Sequence, residues 1–583
     1  MPEMQTQIRT HYLLNIVLIN LYLICTTSYA TQPIINYASL AQPVWSKHGM
    51  VSSQQKIATE VGVNILKQGG NAVDAAIAVG FTLAVTLPRA GNLGGGGFML
   101  VHLAKQNQTI ALDYREMAPQ EAFRDMYLNE DGSVDKNRSR FHGLAIGVPG
   151  TVKGLTEALE KYGSMSLQQV LQPAIELASN GFFVDRDLAL SLKRSVKRLT
   201  RWPATAKVFY HSDGSSYKTG ELFKQPDLTS TLQKISLQGS SAFYQGEIAQ
   251  KIVDTVNLAG GNMQLDDMSG YQVKTRQPVT GTYRGYKIKS MPPPSSGGTH
   301  IIQILNIMEQ QNLSTSGHNS AQTIHLMAEA MKRAYADRSE YLGDPDFVNV
   351  PVKQLTAKNY AKQLFSQITP DEASDSKDIK AGLNIHHESP QTTHYSVVDR
   401  WGNAVSNTYT LNFSYGSGIL AEGTGVLLNN EMDDFSAKPG VANAYGLIGG
   451  DANAVEARKR PLSSMSPTIV FKPDSDDVML VTGSPGGSRI ITTTLQIISN
   501  IIDHKMNIAE ATLASRFHHQ WLPDKITLEK GFSKDTIQLL QQKGHQIDAS
   551  RWAMGSTQSI LKVDDGWTGA SDLRQSGTLT VGH

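Results

Sequence analysis

The chain has 583 residues, of which 53 are lysine or arginine, 52 are aspartate or glutamate and one, Cys25, is a cysteine. The near-zero charge balance argues against an electrostatic nucleic-acid binder, which would carry a basic excess or a lysine- and arginine-rich stripe. The 50 glycines and 23 prolines are an ordinary share for a globular protein, and a chain of this length can bury a large core.

An export signal is predicted at the N-terminus. Arg9 and His11 precede an apolar run at residues 13–25, and residues 28–30 provide a small-residue cleavage site ahead of Thr31. A helix that spans a bilayer takes about 20 mostly apolar residues, so a retained anchor is the less favoured alternative. We therefore expect residues 1–30 to be removed and the rest to be periplasmic or secreted from a bacterium, with no membrane attachment. The mature chain would then contain no cysteine for a disulfide or a catalytic thiol.

The first elements after the signal are two helices and a glycine-rich segment. Apolar residues at helical spacing predict helices at 55–67 and 71–85, separated by a glycine pair. The glycines at 91–97 precede a predicted strand at 98–103. A nucleotide-binding loop has the opposite order, because its glycines follow a strand and open a helix. We therefore predict a tight backbone crossing inside a packed core.

Further along, a strand is predicted at 109–114 that ends at Arg115, followed by helices at 166–180 and 325–341. Residues 371–389 are polar and without periodicity, as in a surface loop or linker. Two β-rich runs at 392–399 and 404–411 are joined by a hairpin signal, and a strand at 478–482 leads through a turn into a helix at 489–503. The C-terminal third is therefore predicted to be α/β, with a mixed or antiparallel sheet.

The glycine-rich turn at 483–488 has two interpretations. It resembles a phosphate loop, but no Lys-Ser/Thr pair opens the helix that follows. Free backbone N–H groups at a helix start can also hold the oxyanion of an acyl-transfer intermediate. Taken alone, such a turn is more often a simple connection.

Thr392 is the candidate nucleophile, although its surroundings also fit an ordinary strand start. An N-terminal threonine carries its own base, since an α-amine has a pKa of about 7.7–8.0. An internal threonine has only an amide there, so Thr392 would be inert until the bond after Gln391 is broken. A serine nucleophile elbow is missing from the sequence, and the adjacent histidine pairs at 386–387 and 518–519 do not have metal-ligand spacing. No metal and no cofactor are predicted.

Several longer motifs together resemble the γ-glutamyltranspeptidase family. They lie at residues 91–100, 112–119, 391–396, 402–412, 429–436, 461–468 and 482–490. The resemblance runs from about residue 45 to the C-terminus, with the motifs in the family's order. It implies an N-terminal-nucleophile hydrolase: an α/β protein with a four-layer αββα sandwich, one continuous fold made from two chains.

The family is made as an inactive zymogen that cuts itself, here between Gln391 and Thr392. The resemblance therefore implies a large subunit of residues 31–391 and a small catalytic subunit of residues 392–583, which stay together as a heterodimer. Thr392 would take the γ-glutamyl group from glutathione or another γ-glutamyl compound. Water would complete hydrolysis, and an amino acid or dipeptide amine would complete transfer.

The resemblance also implies roles for individual residues. Arg115, Ser463 and Ser464 match the groups that hold the substrate α-carboxylate, and Asn412, Glu431 and Asp434 match those that hold its α-ammonium. Thr410 matches the hydroxyl that hydrogen-bonds the nucleophile, Gly486 and Gly487 match the oxyanion hole, and Tyr445 matches the aromatic gate of a lid loop.

Two other kinds of protein remain open at this point. A sister enzyme, either a glutaryl or cephalosporin acylase or a poly-γ-glutamate depolymerase, would share the fold. An acylase for a glutaryl side chain has no substrate amine and would not need Asn412, Glu431 and Asp434 together. A non-enzymatic periplasmic peptide-binding protein fits the length, charge and signal, but it would remain in one piece.

Overall fold

The computed structural model describes residues 39–380, 392–438, 440–441, 443–444, 447 and 449–583. The predicted signal peptide and Gln391 lie outside these residues. The chain divides into two units, Met1–Gln42 and Pro43–His583, and every described helix and strand belongs to the second. None of the described helices combines the length and apolar character needed to cross a bilayer.

Fourteen strands of the described residues form two seven-stranded sheets. In chain order they are β1 (Val44–Ser46), β2 (Met50–Ser53), β3 (Gly96–Leu103), β4 (Gln108–Tyr114), β5 (Lys274–Arg276), β6 (Val279–Tyr283), β7 (Tyr286–Ser290), β8 (Thr393–Val398), β9 (Ala404–Thr410), β10 (Thr468–Phe471), β11 (Val478–Thr482), β12 (Gln558–Val563), β13 (Gly566–Ser571) and β14 (Leu579–Gly582). The first sheet has the order β14-β2-β8-β9-β3-β4-β5 and the second β1-β13-β12-β11-β10-β7-β6. Neighbouring strands in both sheets are antiparallel.

The helices are α1 (Lys56–Lys67), α2 (Ala72–Thr86), α3 (Lys136–Arg140), α4 (Thr151–Tyr162), α5 (Leu167–Asn180), α6 (Arg186–Leu199), α7 (Pro203–Phe209), α8 (Pro226–Gln238), α9 (Ser241–Tyr244), α10 (Gly246–Leu258), α11 (Leu265–Ser269), α12 (Gly297–Met308), α13 (Leu313–Ser316), α14 (Ala321–Tyr341), α15 (Val352–Leu355), α16 (Lys358–Ser366), α17 (Arg489–Ile502), α18 (Ile508–Leu513) and α19 (Lys534–Gln542). Helices α1, α2 and α4 pack on the outer face of the first sheet, α5 packs on α2, and α8 packs on α5. Helix α12 covers the second sheet and packs against α14 and α17.

Strand β3 shows how the layers are built. Its alternate residues face opposite ways, as in any strand. Phe98 and Leu100 join the core between the two sheets, whereas Met99 and Val101 join the core under the helices. Because both faces are buried, the strand is apolar at successive positions. The layers are therefore helices, sheet, sheet and helices, which confirms the predicted αββα sandwich.

The glycine-rich segment before β3 is the tight crossing that the sequence predicts. A Cβ on Gly94 would lie 2.1 Å from the Leu427 carbonyl oxygen, and one on Gly95 would lie 2.0 Å from that of Thr410. Both distances are far below van der Waals contact. Side chains at these positions would separate β3 from the strands and loop that carry the candidate site.

Most predicted boundaries are reproduced within a few residues. Helix α2 begins after Asn71, whose side chain and Asp74 form a capping box. Helix α14 begins at Ala321, four residues before its predicted start, because Ser320 caps it. Residues 371–380 of the predicted linker contain no helix or strand, and the rest of it lies outside the described residues.

Candidate active site

Thr392 lies at the start of β8, opposite the end of β9. The two strands pair with Thr393 facing Tyr409, so the next pair outward brings Thr392 to Thr410. The Thr392 hydroxyl donates a hydrogen bond to Thr410 Oγ1 at 3.4 Å, and Thr410 Oγ1 also accepts the Asn412 backbone N–H at 2.9 Å. Only 5% of the Thr392 surface is exposed. The hairpin therefore fixes the candidate nucleophile beside a second hydroxyl.

Asn412 is held just after β9 in a left-handed conformation, with φ of 73°. Its side-chain amide donates to the carbonyl oxygen of Asn430 at 2.9 Å. Asparagine tolerates this conformation better than most residues. The bond connects the end of β9 to the 3₁₀ turn Glu431–Asp434, which supplies the acidic side of the site.

Arg115 follows β4 and is completely buried. Its Nε donates to the Pro461 carbonyl oxygen at 3.2 Å, and its two terminal nitrogens donate to Glu431 and Asp434. The predicted carboxylate clamp and the predicted ammonium acceptors are therefore ion-paired with each other. A guanidinium is suited to this because its planar fork can bond two carboxylates at once.

The carboxyl groups around Arg115 are electrostatically crowded. Burial raises the pKa of Glu431 well above its usual range, Glu116 and Asp434 raise it further, and Arg115 opposes the change. Burial also raises the pKa of Glu116 to about 7. Glu116 Oε2 lies 3.6 Å from Arg115 Nη1, and within the described residues neither Glu116 oxygen has a hydrogen-bond partner. Three buried carboxyl groups thus compete for one guanidinium.

Ser463 and Ser464 lie opposite this cluster in the segment before β10. The Ser463 backbone N–H donates to Pro294 O and its carbonyl accepts the Ser296 N–H, both at 2.8 Å. Ser464 Oγ accepts a hydrogen bond from Arg338 Nη2 at 3.4 Å. The backbone bonds fix the segment, so that both hydroxyls line the same cavity as Arg115.

The glycine-rich turn between β11 and α17 forms another wall. Gly486 has a φ of 138° and Gly487 a φ of 57°, conformations that side chains disfavour. Gly487 lines the cavity, with Gly486 next to it in the turn. Glycine at both positions therefore lets the backbone turn sharply at the start of a helix, which is the geometry that the oxyanion interpretation requires.

These groups enclose a cavity with about 320 Å³ of empty space. Its lining contains nine predicted site residues: Arg115, Thr392, Thr410, Asn412, Glu431, Asp434, Ser463, Ser464 and Gly487. Gln391 and Tyr445 lie outside the described residues. The tertiary fold thus gathers these nine residues from six segments of the chain, counting that of Thr392 itself.

Arg338 is the cavity residue that the sequence analysis missed. It projects from α14, is almost fully buried, and donates from Nε to Ser296 Oγ at 3.0 Å. Burial lowers its pKa to about 10, so it remains charged at neutral pH. The one signal in the sequence is a charged residue on the buried face of a predicted amphipathic helix, and that pattern is common in helices without a site.

Comparisons with known proteins agree with this geometry. A family model described as gamma-glutamyltranspeptidase matches residues 58–582. A glutathione hydrolase proenzyme of Escherichia coli (strain K12) is 54% identical over 542 residues, covering 93% of each chain. The crystal structure of Helicobacter pylori gamma-glutamyltranspeptidase is 46% identical with a TM-score of 0.56, over 61% of this chain and 99% of that one. That of a cephalosporin acylase from Bacillus halodurans is 26% identical with a TM-score of 0.81, over 96% and 99%.

Proposed function

Because this chain belongs to the γ-glutamyltranspeptidase family, we propose that it is a γ-glutamyltransferase with glutathione hydrolase activity. It takes the γ-glutamyl group from glutathione or a related compound and passes it to water, an amino acid or a dipeptide. The observation that carries this proposal is the cavity itself, whose lining combines Thr392, an arginine–carboxylate cluster and the Gly487 turn. The remaining alternative without catalysis, a peptide-binding protein, does not agree with membership of an enzyme family.

The charges of the cavity complement a γ-glutamyl group, whose α-carbon carries one carboxylate and one ammonium. Arg115 with Ser463 and Ser464 offers donors for the carboxylate, and Asn412, Glu431 and Asp434 offer acceptors for the ammonium. Arg115 is already paired with both carboxylates before substrate binds. The substrate can therefore exchange one internal ion-pair network for two new ones without leaving a charge buried alone.

Catalysis requires that the bond between Gln391 and Thr392 is first cut. The new α-amine of Thr392 then takes the proton of its own hydroxyl, and Oγ1 attacks the γ-glutamyl carbonyl carbon. Backbone N–H groups of the Gly486–Gly487 turn stabilise the negative oxygen. The peptide amine leaves with the proton, so an acyl-enzyme remains. Water or an acceptor amine attacks this ester and loses a proton to the α-amine. The bond between the acyl carbon and Oγ1 then breaks, the α-amine returns the proton to Oγ1, and glutamate or the γ-glutamyl amide leaves.

Thr410 positions the nucleophile through the hydroxyl pair described above. Thr410 Oγ1 accepts hydrogen bonds from the Asn412 backbone N–H and from the Thr392 hydroxyl, so its lone pairs point towards both donors. This arrangement restricts the rotamer of Thr392, which is the condition for a near-attack geometry.

We further propose that the protein is exported as a precursor and is then cut into two subunits. The signal sequence supports export, with the mature enzyme periplasmic or secreted. The cut would leave residues 31–391 and 392–583 as the large and small subunits of a heterodimer. The resemblance to the family further assigns to Tyr445 the role of an aromatic gate.

An acylase is the competing enzyme class, because a structural relative carries that name. A glutaryl side chain offers no amine to the acceptor set. Here Asn412, Glu431 and Asp434 all line the same cavity, and a glutaryl carboxylate that bound Arg115 would compete for the cation of both acids without offering an ammonium in its place. This observation favours an α-amino substrate.

The decisive experiment combines a denaturing gel with product analysis. Purified wild-type protein should give pieces of roughly 39 and 21 kDa, the 63.6 kDa mass scaled to residues 31–391 and 392–583. With glutathione it should release cysteinylglycine, and with an added dipeptide it should form the γ-glutamyl dipeptide. Thr392→Ala should remain uncut and inactive. Thr393→Val is the matched control, because Thr393 Oγ1 has no hydrogen-bond partner within the described residues.

An uncut wild-type protein with full activity would refute this mechanism. Release of glutarate from a glutaryl amide, with no reaction of glutathione, would instead establish the acylase.

A further inference from the structure

A second and larger depression lies beside the active-site cavity, with about 1080 Å³ of empty space. We call it the basic groove. It is formed by the start of α17 at Arg489, by residues 518–527 and by residues 548–552. No step of the proposed reaction uses these side chains.

The basic groove and the active-site cavity share a wall. Gly487 and Ile490 line the cavity, whereas Arg489, between them in sequence, lines the groove. Ser488 Oγ and Gln520 Oε1 are hydrogen-bonded at 2.8 Å, and Gln520 also lines the groove. A small cleft nearby is lined by Arg338, which also lines the cavity, and by Gln520, which also lines the groove. The active-site cavity and the basic groove are therefore direct neighbours.

The groove carries a positive charge at neutral pH. Arg489, Lys525 and Arg551 line it against one carboxylate, Asp548, which Lys525 contacts at 2.7 Å. His518 adds no charge there, because burial and then Arg489 lower its pKa to about 3. Three cations against one carboxylate give the groove a net charge of +2. Such a surface attracts an anion.

An extended dipeptide can span the two residues of the wall between the cavity and the groove. An extended chain spans at most about 3.6 Å per residue, so the terminal carboxylate of a dipeptide lies about 7 Å from its reacting nitrogen. By the same measure, the Arg489 backbone is within about 7 Å of Gly487, and its side chain reaches further. The Arg489 N–H donates to Gly486 O at 3.1 Å, which keeps this turn tight.

We propose that the basic groove binds the free terminal carboxylate of the peptide that leaves the γ-glutamyl donor or accepts the γ-glutamyl group. The groove thereby selects peptides over amines that lack a carboxylate. This inference rests on the proposed transferase function and assigns its second substrate site. The ligand is a small peptide carboxylate, bound by charge rather than by shape.

Pairs of substrates with and without the carboxylate test the proposal. For the donor, glutathione is compared with γ-glutamyl-p-nitroanilide, whose leaving group is uncharged. For the acceptor, glycylglycine is compared with glycylglycinamide. The measured quantity is the ratio of kcat/KM within each pair. In the wild type, raising the ionic strength should lower both ratios, because salt screens exposed charges.

Arg551 is the side chain to change, because it is exposed and lines the groove but not the active-site cavity. Arg551→Gln should lower the ratios about threefold and Arg551→Glu about tenfold, as for exposed charge pairs, while Arg551→Lys should keep them near wild type. Arg400→Gln, an exposed charge on the β8–β9 turn, is the matched control and should leave the ratios unchanged.

If an Arg551 variant or a higher ionic strength lowers the kcat/KM ratio of either pair, the groove is supported as a carboxylate site for that substrate. Ratios that stay constant in Arg551→Gln, in Arg551→Glu and across ionic strength would overturn the proposal, provided that the gel shows normal processing. Failure of the processed wild type to release p-nitroaniline would overturn the transferase function itself, which is a different result.

Discussion

At the scale of single residues, the carboxyl groups around Arg115 predict a pH-dependent donor affinity. Burial raises the pKa of Glu431 and Asp434, and that of Glu116 to about 7, so this cluster takes up protons at a higher pH than exposed carboxyl groups do, with Glu116 near neutrality. A protonated carboxyl no longer attracts the substrate ammonium. We therefore expect the KM for a γ-glutamyl donor to rise as the pH falls from 8 to 6.

The variant Glu116→Gln tests whether the charge of Glu116 contributes to this pH dependence of KM. Glu116 raises the pKa of Glu431 by repulsion, so its removal should shift the rise in KM to lower pH. The measurement is a KM–pH profile at constant ionic strength, with Glu176→Gln on the surface of α5 as the control. Identical profiles for wild type and Glu116→Gln would contradict the coupling.

The position of Arg338 leads to a second prediction, which concerns the KM for the γ-glutamyl donor. Arg338 donates to Ser464 and Ser296 and adds a buried cation on the side of the cavity where the substrate carboxylate is expected. Removing a charged hydrogen-bond donor costs about 1.5 kcal/mol, so Arg338→Met should raise the donor KM about tenfold, with a smaller change in kcat. Arg338→Lys keeps the charge and should recover part of the affinity. Thermal unfolding of each variant controls for stability, and an unchanged KM in Arg338→Met would exclude a contact with substrate.

At the scale of elements, the β11–α17 turn predicts how catalysis depends on backbone conformation. There is room for a methyl group at Gly486, since the nearest heavy atom to a Cβ would be 3.6 Å away, but its φ of 138° is strained for any other residue. Gly486→Ala should therefore rotate the peptide groups of the turn. The loss of one oxyanion donor should lower kcat about 100-fold or more, with little change in KM.

Gly317 provides a matched control for this variant. It also has a positive φ, 84°, and open space around its Cβ, but it lies between α13 and α14. Gly317→Ala should cost similar stability and leave kcat unchanged. Equal losses of kcat in both variants would mean that strain alone, rather than the oxyanion turn, explains the effect.

At the scale of the whole molecule, the sheets interleave the two parts of the chain. In the first sheet, β14, β8 and β9 come from residues 392–583 and lie between or beside β2 and β3. In the second sheet, β1 and β7 from the N-terminal part pair with β13 and β10. Neither part has a complete sheet of its own, so cutting the bond after residue 391 leaves the shared core intact.

This interleaving predicts that the two pieces stay together after cleavage. Native size-exclusion chromatography should give one peak containing both, at the position of the uncut Thr392→Ala variant. Reductant should have no effect, because the chain has a single cysteine, Cys25, which lies in the predicted signal. Separation of the pieces in native buffer would contradict the prediction.

Local features of the sequence determined much of this fold. The helices near residues 55 and 71, the strand before Arg115 and the β8–β9 hairpin each depend on neighbours within a few positions, so periodicity, caps and turn residues are sufficient to predict them. The glycines before β3 indicated a close crossing for the same reason. The family's motifs then supplied the site residues, and nine of them line one cavity.

What surrounds those residues was decided by tertiary structure. The pairing of Arg115 with Glu431 joins positions 316 apart in the chain, and Arg338 reaches Ser464 from a helix whose sequence gives no sign of a site. Neither the pKa of Glu116 nor the position of the basic groove can be derived from local sequence, because both depend on which segments the four layers bring together. The sequence by itself determined the local elements and the proposed site residues. The packing of the layers decided their charge environment, because burial and distance set the energy of a charge and both are properties of the folded chain.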